Sequence, residues 1–86
     1  MKIVIVGTRG IPARYGGFET FAEEISYLLV KSGFDVYVQC DAGSVDVDNY
    51  KGVKLFFSTV RKSDHPLKYY YEGIKWGIKN SDIIIA

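Results

Sequence analysis

Ile3-Val4-Ile5-Val6, followed by Gly7-Thr8-Arg9-Gly10-Ile11-Pro12-Ala13-Arg14-Tyr15-Gly16-Gly17, opens the chain with an uninterrupted apolar run that breaks into a glycine-rich loop. A β-branched run without polar alternation is the pattern of a strand covered on both faces, as strands of parallel sheets are. Beyond the loop, Phe18, Phe21, Ala22, Ile25, Leu28 and Leu29 recur at the spacing of one apolar helical stripe. This predicts a helix over about residues 18–32. Glu19, Glu23, Glu24 and Lys31 fall off that stripe and are expected in water. Glu19 in the first turn and Lys31 in the last both suit the helix macrodipole. Gly33 is expected just past the helix end, with Phe34 packing back on Leu29.

A second strand is expected over Asp35 to Cys40, with Val36, Val38 and Cys40 on one face and Tyr37 on the other. A polar loop follows over Asp41 to Gly52, then a third strand over Val53 to Phe57 and a second loop over Ser58 to Asp64. Pro66 suits the first position of a helix that runs to about Asn80. Asp64 or His65 is its expected cap. Leu67, Tyr70, Tyr71, Ile74 and Ile78 are its expected buried face. Gly73 and Gly77 weaken it by roughly 1 kcal/mol each relative to alanine, and would allow close packing on the sheet. Ile83-Ile84-Ile85 is a fourth strand. The order β-α-β-β-α-β predicts an α/β fold, a partial Rossmann-like, mainly parallel sheet. The link between strands two and three is long enough for a parallel crossover or a loose hairpin, and the parallel arrangement is favoured. A chain ending at Ala86, directly after an apolar strand, predicts a domain that continues, and a last strand left as an exposed edge.

The 86 residues, 48% of them hydrophobic and 24% charged, fit one small globular domain and not a disordered chain. A net charge of +1 supplies no general field for nucleic acid or an anionic membrane. Cys40 is the lone cysteine, which rules out an internal disulfide and a multi-cysteine metal site. It fits a reducing compartment, and a cytoplasmic location is expected. No stretch approaches the ~20 apolar residues needed to span a bilayer, and the opening apolar run is too short for a signal peptide.

The chemistry is expected in the loop from Gly7 to Gly17. Loops at this place usually take roughly 2–6 residues, and longer ones tend to bind ligands. Gly16-Gly17 lies directly before the helix, where a missing Cβ admits a ligand to the backbone. The unpaired amides and positive dipole end there favour phosphate. Arg9 and Arg14 are candidates for bidentate phosphate contacts, with a solvated or structural role as the alternative. For Gly7 and Gly10, turn formation and tight packing stand level with ligand approach; for Gly16 and Gly17 ligand approach is favoured. Neither G-x-x-x-x-G-K-[ST] nor G-x-G-x-x-G fits glycines at 7, 10, 16 and 17.

The stretch from Gly7 to Thr20, together with the helix end, glycine and second strand over Leu28 to Val38, resembles the opening of one branch of family 4 glycosyltransferases, which includes rhamnosyltransferase-like enzymes of polysaccharide assembly. The resemblance spans essentially the whole chain. It is specific over residues 3–20 and loose after about residue 41. It implies two Rossmann-like domains with the site between them. The N-terminal one meets the acceptor, and the C-terminal one grips a nucleotide-diphosphate-sugar donor and carries a pair of glutamates. By that resemblance residues 1–86 are an incomplete N-terminal domain without its C-terminal donor-binding domain. Gly16 and Gly17 would approach the donor diphosphate, and transfer to a saccharide or lipid-linked acceptor would retain configuration. No metal and no cofactor is implied. No catalytic residue is assigned within the chain, the family's usual histidine beyond strand four is missing, and the 86 residues alone are expected to be inactive.

The remaining candidates are weaker. His65 beside Pro66 reads as a cap or surface residue. Asp41 stands where dinucleotide folds bind ribose, but it lies 24 residues beyond Gly17 and is expected in a surface loop. Asp46-Val47-Asp48-Asn49 fails as a calcium loop, because the sixth and twelfth positions are Lys51 and Phe57. Tyr69 and Trp76 are expected as an exposed aromatic pair facing a partner or further chain. Cys40 reads as a small buried hydrophobe. Self-association through the last strand's edge is a further expectation. The competing functions are a nicotinamide- or flavin-dependent oxidoreductase fragment and a non-catalytic module.

Overall fold

The computed structural model describes residues 1–11, 17–43 and 48–86. Among them the elements run β1 (Lys2–Ile5), α1 (Gly17–Lys31), β2 (Asp35–Cys40), β3 (Asn49–Tyr50), β4 (Val53–Phe57), α2 (Pro66–Asn80) and β5 (Ile83–Ile85). The strands form one sheet in the order β3-β4-β2-β1-β5. β1 pairs in parallel with β2 and β5, and β2 pairs in parallel with β4. The third apolar strand is therefore parallel, as expected. The polar loop before it contributes one unexpected element, the two-residue β3, which turns back antiparallel on β4 through Lys51 and Gly52, both at positive φ.

The two helices cover opposite faces. On one side α1 packs over Ile5, Val36, Val38, Cys40, Val53 and Leu55, with Ala22 buried among them. The helix ends as its sequence requires: Gly33 has φ +96°, its amide donates to Val30 O, and the Phe34 amide donates to Leu29 O. The inner line of α1 is Glu19, Ala22 and Ser26, whereas Phe18, Phe21 and Leu28 are exposed. Small side chains at 22 and 26 let the helix sit close to the sheet. Glu19, expected in water, is buried by a hydrogen bond to the β1–α1 loop.

On the other side α2 inverts the expectation for its buried face. Leu67, Tyr71, Ile74 and Ile78 point outward, and Tyr69, Gly73 and Gly77 face the sheet, with Tyr70 half-buried. The glycines explain this. A β-carbon at Gly73 would fall 2.6 Å from Val6 Cγ1 and 2.8 Å from Gln39 Cδ, and one at Gly77 would fall 2.9 Å from both Val4 Cγ1 and Ile84 Cδ1. The helix backbone thus lies directly on β1, β2 and β5. Counting apolar side chains misses a face made by having none. Tyr69 and Trp76 are likewise not an exposed pair. Tyr69 is fully buried, and Trp76 stacks on Phe56 at 4.1 Å and 8° and tilts against Tyr37 at 5.0 Å. Gly73→Ala gains about 1 kcal/mol of helix propensity but overpacks a buried contact at about 1–3 kcal/mol. Urea denaturation is expected to show a net loss of up to about 2 kcal/mol.

Candidate functional site

In open α/β sheets ligands sit beyond the carboxyl ends of the strands. Here that end gathers the loops after β1, β2 and β4. The chain leaves β1 through Val6, whose amide donates to Ile85 O, and turns at Gly7 with φ +96°. A β-carbon on Gly7 would lie 2.6 Å from Tyr70 Cε1. One on Gly10, at φ +127°, would lie 3.1 Å from Cys40 Sγ. Both glycines therefore meet a conformational and packing need of the fold.

Gln39 fixes this turn. It is fully buried on the α2 side of β2, and its Oε1 accepts the Gly7 amide at 3.0 Å. Its Nε2 donates to Ser58 Oγ and to Tyr69 O, both at 2.7 Å. One side chain thus joins the ends of β1, β2 and β4 to the first turn of α2. Tyr69 returns the link by donating its hydroxyl to Thr8 O, and Thr8 Oγ1 accepts the Gly10 amide at 3.0 Å. Burial, then the nearby Asp41 carboxylate, pushes the Tyr69 hydroxyl pKa up, so it remains a donor.

Asp41 is buried, not a surface-loop residue. Its amide donates to Arg9 O at 3.0 Å, and its Oδ1 accepts the Lys62 amide at 2.7 Å. Lys62 Nζ donates to Gly7 O at 2.6 Å and lies 5.2 Å from the Tyr70 ring centre. The ammonium group of Lys62 therefore stands at the mouth of the loop. Gln39, Lys62 and Tyr69 were not singled out as site residues from sequence. Gln39 left one signal, a long amide in an otherwise apolar strand.

Of the four expected phosphate contacts, Arg9 and Gly17 lie within the described residues, and Arg14 and Gly16 lie outside them. The Arg9 amide donates to Glu19 Oε2 at 3.3 Å, which ties Arg9 to the first turn of α1, two residues beyond Gly17. That amide is therefore engaged within the chain. Gly17 is exposed, and no described residue lies within 4 Å of where its β-carbon would stand. Unlike Gly7 and Gly10, it answers no packing need among the described residues. His65 precedes α2 without a side-chain capping bond, and Pro66 takes the first helical position. Among the described residues no group of three histidine, cysteine or carboxylate side chains is placed to hold a metal ion, and no helix is long and apolar enough to cross a membrane.

The sheet order, the helices on opposite faces and the loop-bearing carboxyl end define a partial Rossmann-like α/β fold. Within that class, residues 1–79 match the family model described as a domain of unknown function, DUF1972, and the chain belongs to that family. It matches no curated protein and no solved structure.

Two outcomes follow from the network. Gln39→Leu leaves the Gly7 amide buried without its partner, at a cost of about 1–3 kcal/mol, to be read from chemical denaturation. Burial raises the Cys40 thiol from 9.0 to about 11. A thiol kept neutral by folding adds stability below its unfolded pKa and loses it as pH rises towards the folded value. Stability is therefore expected to fall between pH 9 and about 11, and Cys40→Ala should flatten that slope in urea titrations at successive pH values.

Proposed function

We propose that this chain is the acceptor-side, N-terminal part of a retaining glycosyltransferase that uses a nucleotide-diphosphate-sugar donor. The observation that carries the reading is Gly17. It opens a helix at the carboxyl end of a doubly wound sheet, bare of side chain where no described residue requires it. A ligand that must approach the backbone gives such a glycine a purpose, and the helix start favours a diphosphate there. Arg9 and Lys62 stand at the same end of the sheet and would add positive charge, with Arg14 and Gly16 completing the set by resemblance. Their role would be to hold the departing diphosphate and stabilise the charge that develops on it.

On this reading a second Rossmann-like domain supplies the nucleotide grip and the chemistry. The acceptor is a saccharide or a lipid-linked saccharide, with a rhamnosyltransferase of polysaccharide assembly as the narrower form. The enzyme would work in the cytoplasm. The oxidoreductase alternative is disfavoured by Asp41. An acid at the end of β2 would be needed for ribose hydroxyls, and here it is buried with its carboxylate held by the Lys62 amide.

The test is an amide chemical-shift titration of the chain with uridine and thymidine diphosphates up to millimolar concentration. Localised shifts are expected at Arg9, Gly17 and Phe18. Gly17→Val is expected to weaken binding about tenfold, the order of one lost charge-assisted contact, without changing the melting temperature. Absence of localised shifts, or unchanged binding by both Gly17→Val and Arg9→Ala, would refute the diphosphate role.

A further inference from the structure

Because α2 meets the sheet through its glycines, its large apolar side chains are turned away from the core. Leu67 is 86% exposed, Ile78 72%, Tyr71 64% and Ile74 39%. At 3.6 residues per turn these four fall within an arc of about 60°. Lys75, Lys68 and Lys79 occupy the adjoining arc of about 40° on one flank, and all three are exposed. Glu72 is the one acidic residue of α2. It is drawn towards the end of β4, where its carboxylate accepts the Thr59 amide at 3.0 Å and the Thr59 hydroxyl, bonds that hold its pKa below the usual carboxylate range. The near-zero charge of the whole chain conceals this division. The exposed ridge of α2 is apolar along its crest and positive along one side.

We propose that this ridge rests on an anionic membrane surface, with α2 lying in the plane of the interface. A helix with an apolar stripe flanked by lysines is the form that binds there, its apolar side chains entering the headgroup boundary and its lysines meeting lipid phosphates. Long lysine stems can lie along the apolar layer while their ammonium groups reach the headgroups. Tyr71 at the crest, with Lys75 Nζ 5.8 Å from its ring centre, suits the same boundary, where amphipathic rings collect. Among the described residues α2 is the sole helix on its face of the sheet, and its ridge is about 22 Å long. On the lysine side a groove of about 390 Å³, walled by Phe57 and Trp76, continues the apolar surface beneath the lysine stems.

The experiment is co-flotation of the chain with vesicles of phosphatidylcholine alone or with one part in three of phosphatidylglycerol, at low and high salt. Binding is expected to the anionic vesicles at low salt, and to fall with added salt and without the anionic lipid. Each lysine near the surface contributes about fivefold to partitioning. The triple replacement Lys68→Gln, Lys75→Gln, Lys79→Gln should therefore lower binding on the order of a hundredfold. Leu67→Glu with Ile78→Glu should abolish it, and because both side chains are exposed, circular dichroism should remain unchanged. No binding by the folded chain, or tight binding retained by either variant, overturns the proposal. Light scattering that shows self-association lost on Ile78→Glu, with no vesicle binding, overturns it too and assigns the ridge to a second copy.

Discussion

The arrangement depends on the buried amide of Gln39. A primary amide offers one acceptor oxygen and two N–H donors, and here all three functions are used. The oxygen takes the Gly7 amide, and the nitrogen gives to Ser58 Oγ and Tyr69 O. Each of those partners belongs to a different element. A strand end, a loop and a helix that share no local sequence are held in one geometry by a single side chain. A buried polar group is stable only when satisfied, and a satisfied network specifies one arrangement. An aliphatic residue at this position would fill the space but would leave the Gly7 turn without its anchor. Gly73 is the counterpart of that choice, since only a residue without Cβ leaves the amide its room.

From this constraint the rest of the carboxyl end follows. With Gly7 fixed, its carbonyl faces Lys62, and Thr8 faces the hydroxyl of Tyr69. Asp41 ties the loop after β4 to the end of β2, and its own amide fastens Arg9. The base of the β1–α1 loop is thus held by bonds from β2, from the loop after β4 and from α2. Contacts ordered in folding add no further ordering cost if a ligand meets them.

Both helices and every strand but β3 were legible in the sequence because each carries its own period or its own apolar run. Parallel pairing of β4 was the favoured of the two arrangements that the connection before it allowed. The faces of the helices were not. For α1 the stripe of large residues overlapped the true face only in part, since Ala22 and Ser26 carry the closest contact. For α2 the stripe pointed away from the core. Both misreadings have one cause: hydrophobic periodicity records where apolar surface lies and not which surface is nearest the sheet. Asp41 and Glu19 were misjudged because their burial depends on backbone amides of Lys62 and Arg9, brought beside them by the tertiary fold. The same limit hid Lys62, whose ammonium group reaches a carbonyl 55 positions earlier. Of the expected site, Arg9 and Gly17 come to one end of the sheet, and among the described residues Gly17 lacks the packing need that Gly7 and Gly10 meet.

The two faces of α2 are one design decision. Placing Gly73 and Gly77 inward gives the helix its close seat and Gln39 its space. It also sends every large aliphatic side chain of the helix outward. Such a stripe raises the risk of aggregation, and a helix that needed only a seat on the sheet could have carried polar residues there at no cost to its packing. That Leu67, Tyr71, Ile74 and Ile78 stand in one arc, with lysines confined to one flank, is a second constraint superimposed on the first. The inner line is set by the turn at Gly7 and the outer line by whatever the ridge meets. The fold separates these demands by the thickness of one helix, so that the surface and the β1–α1 loop can change independently while sharing the same support.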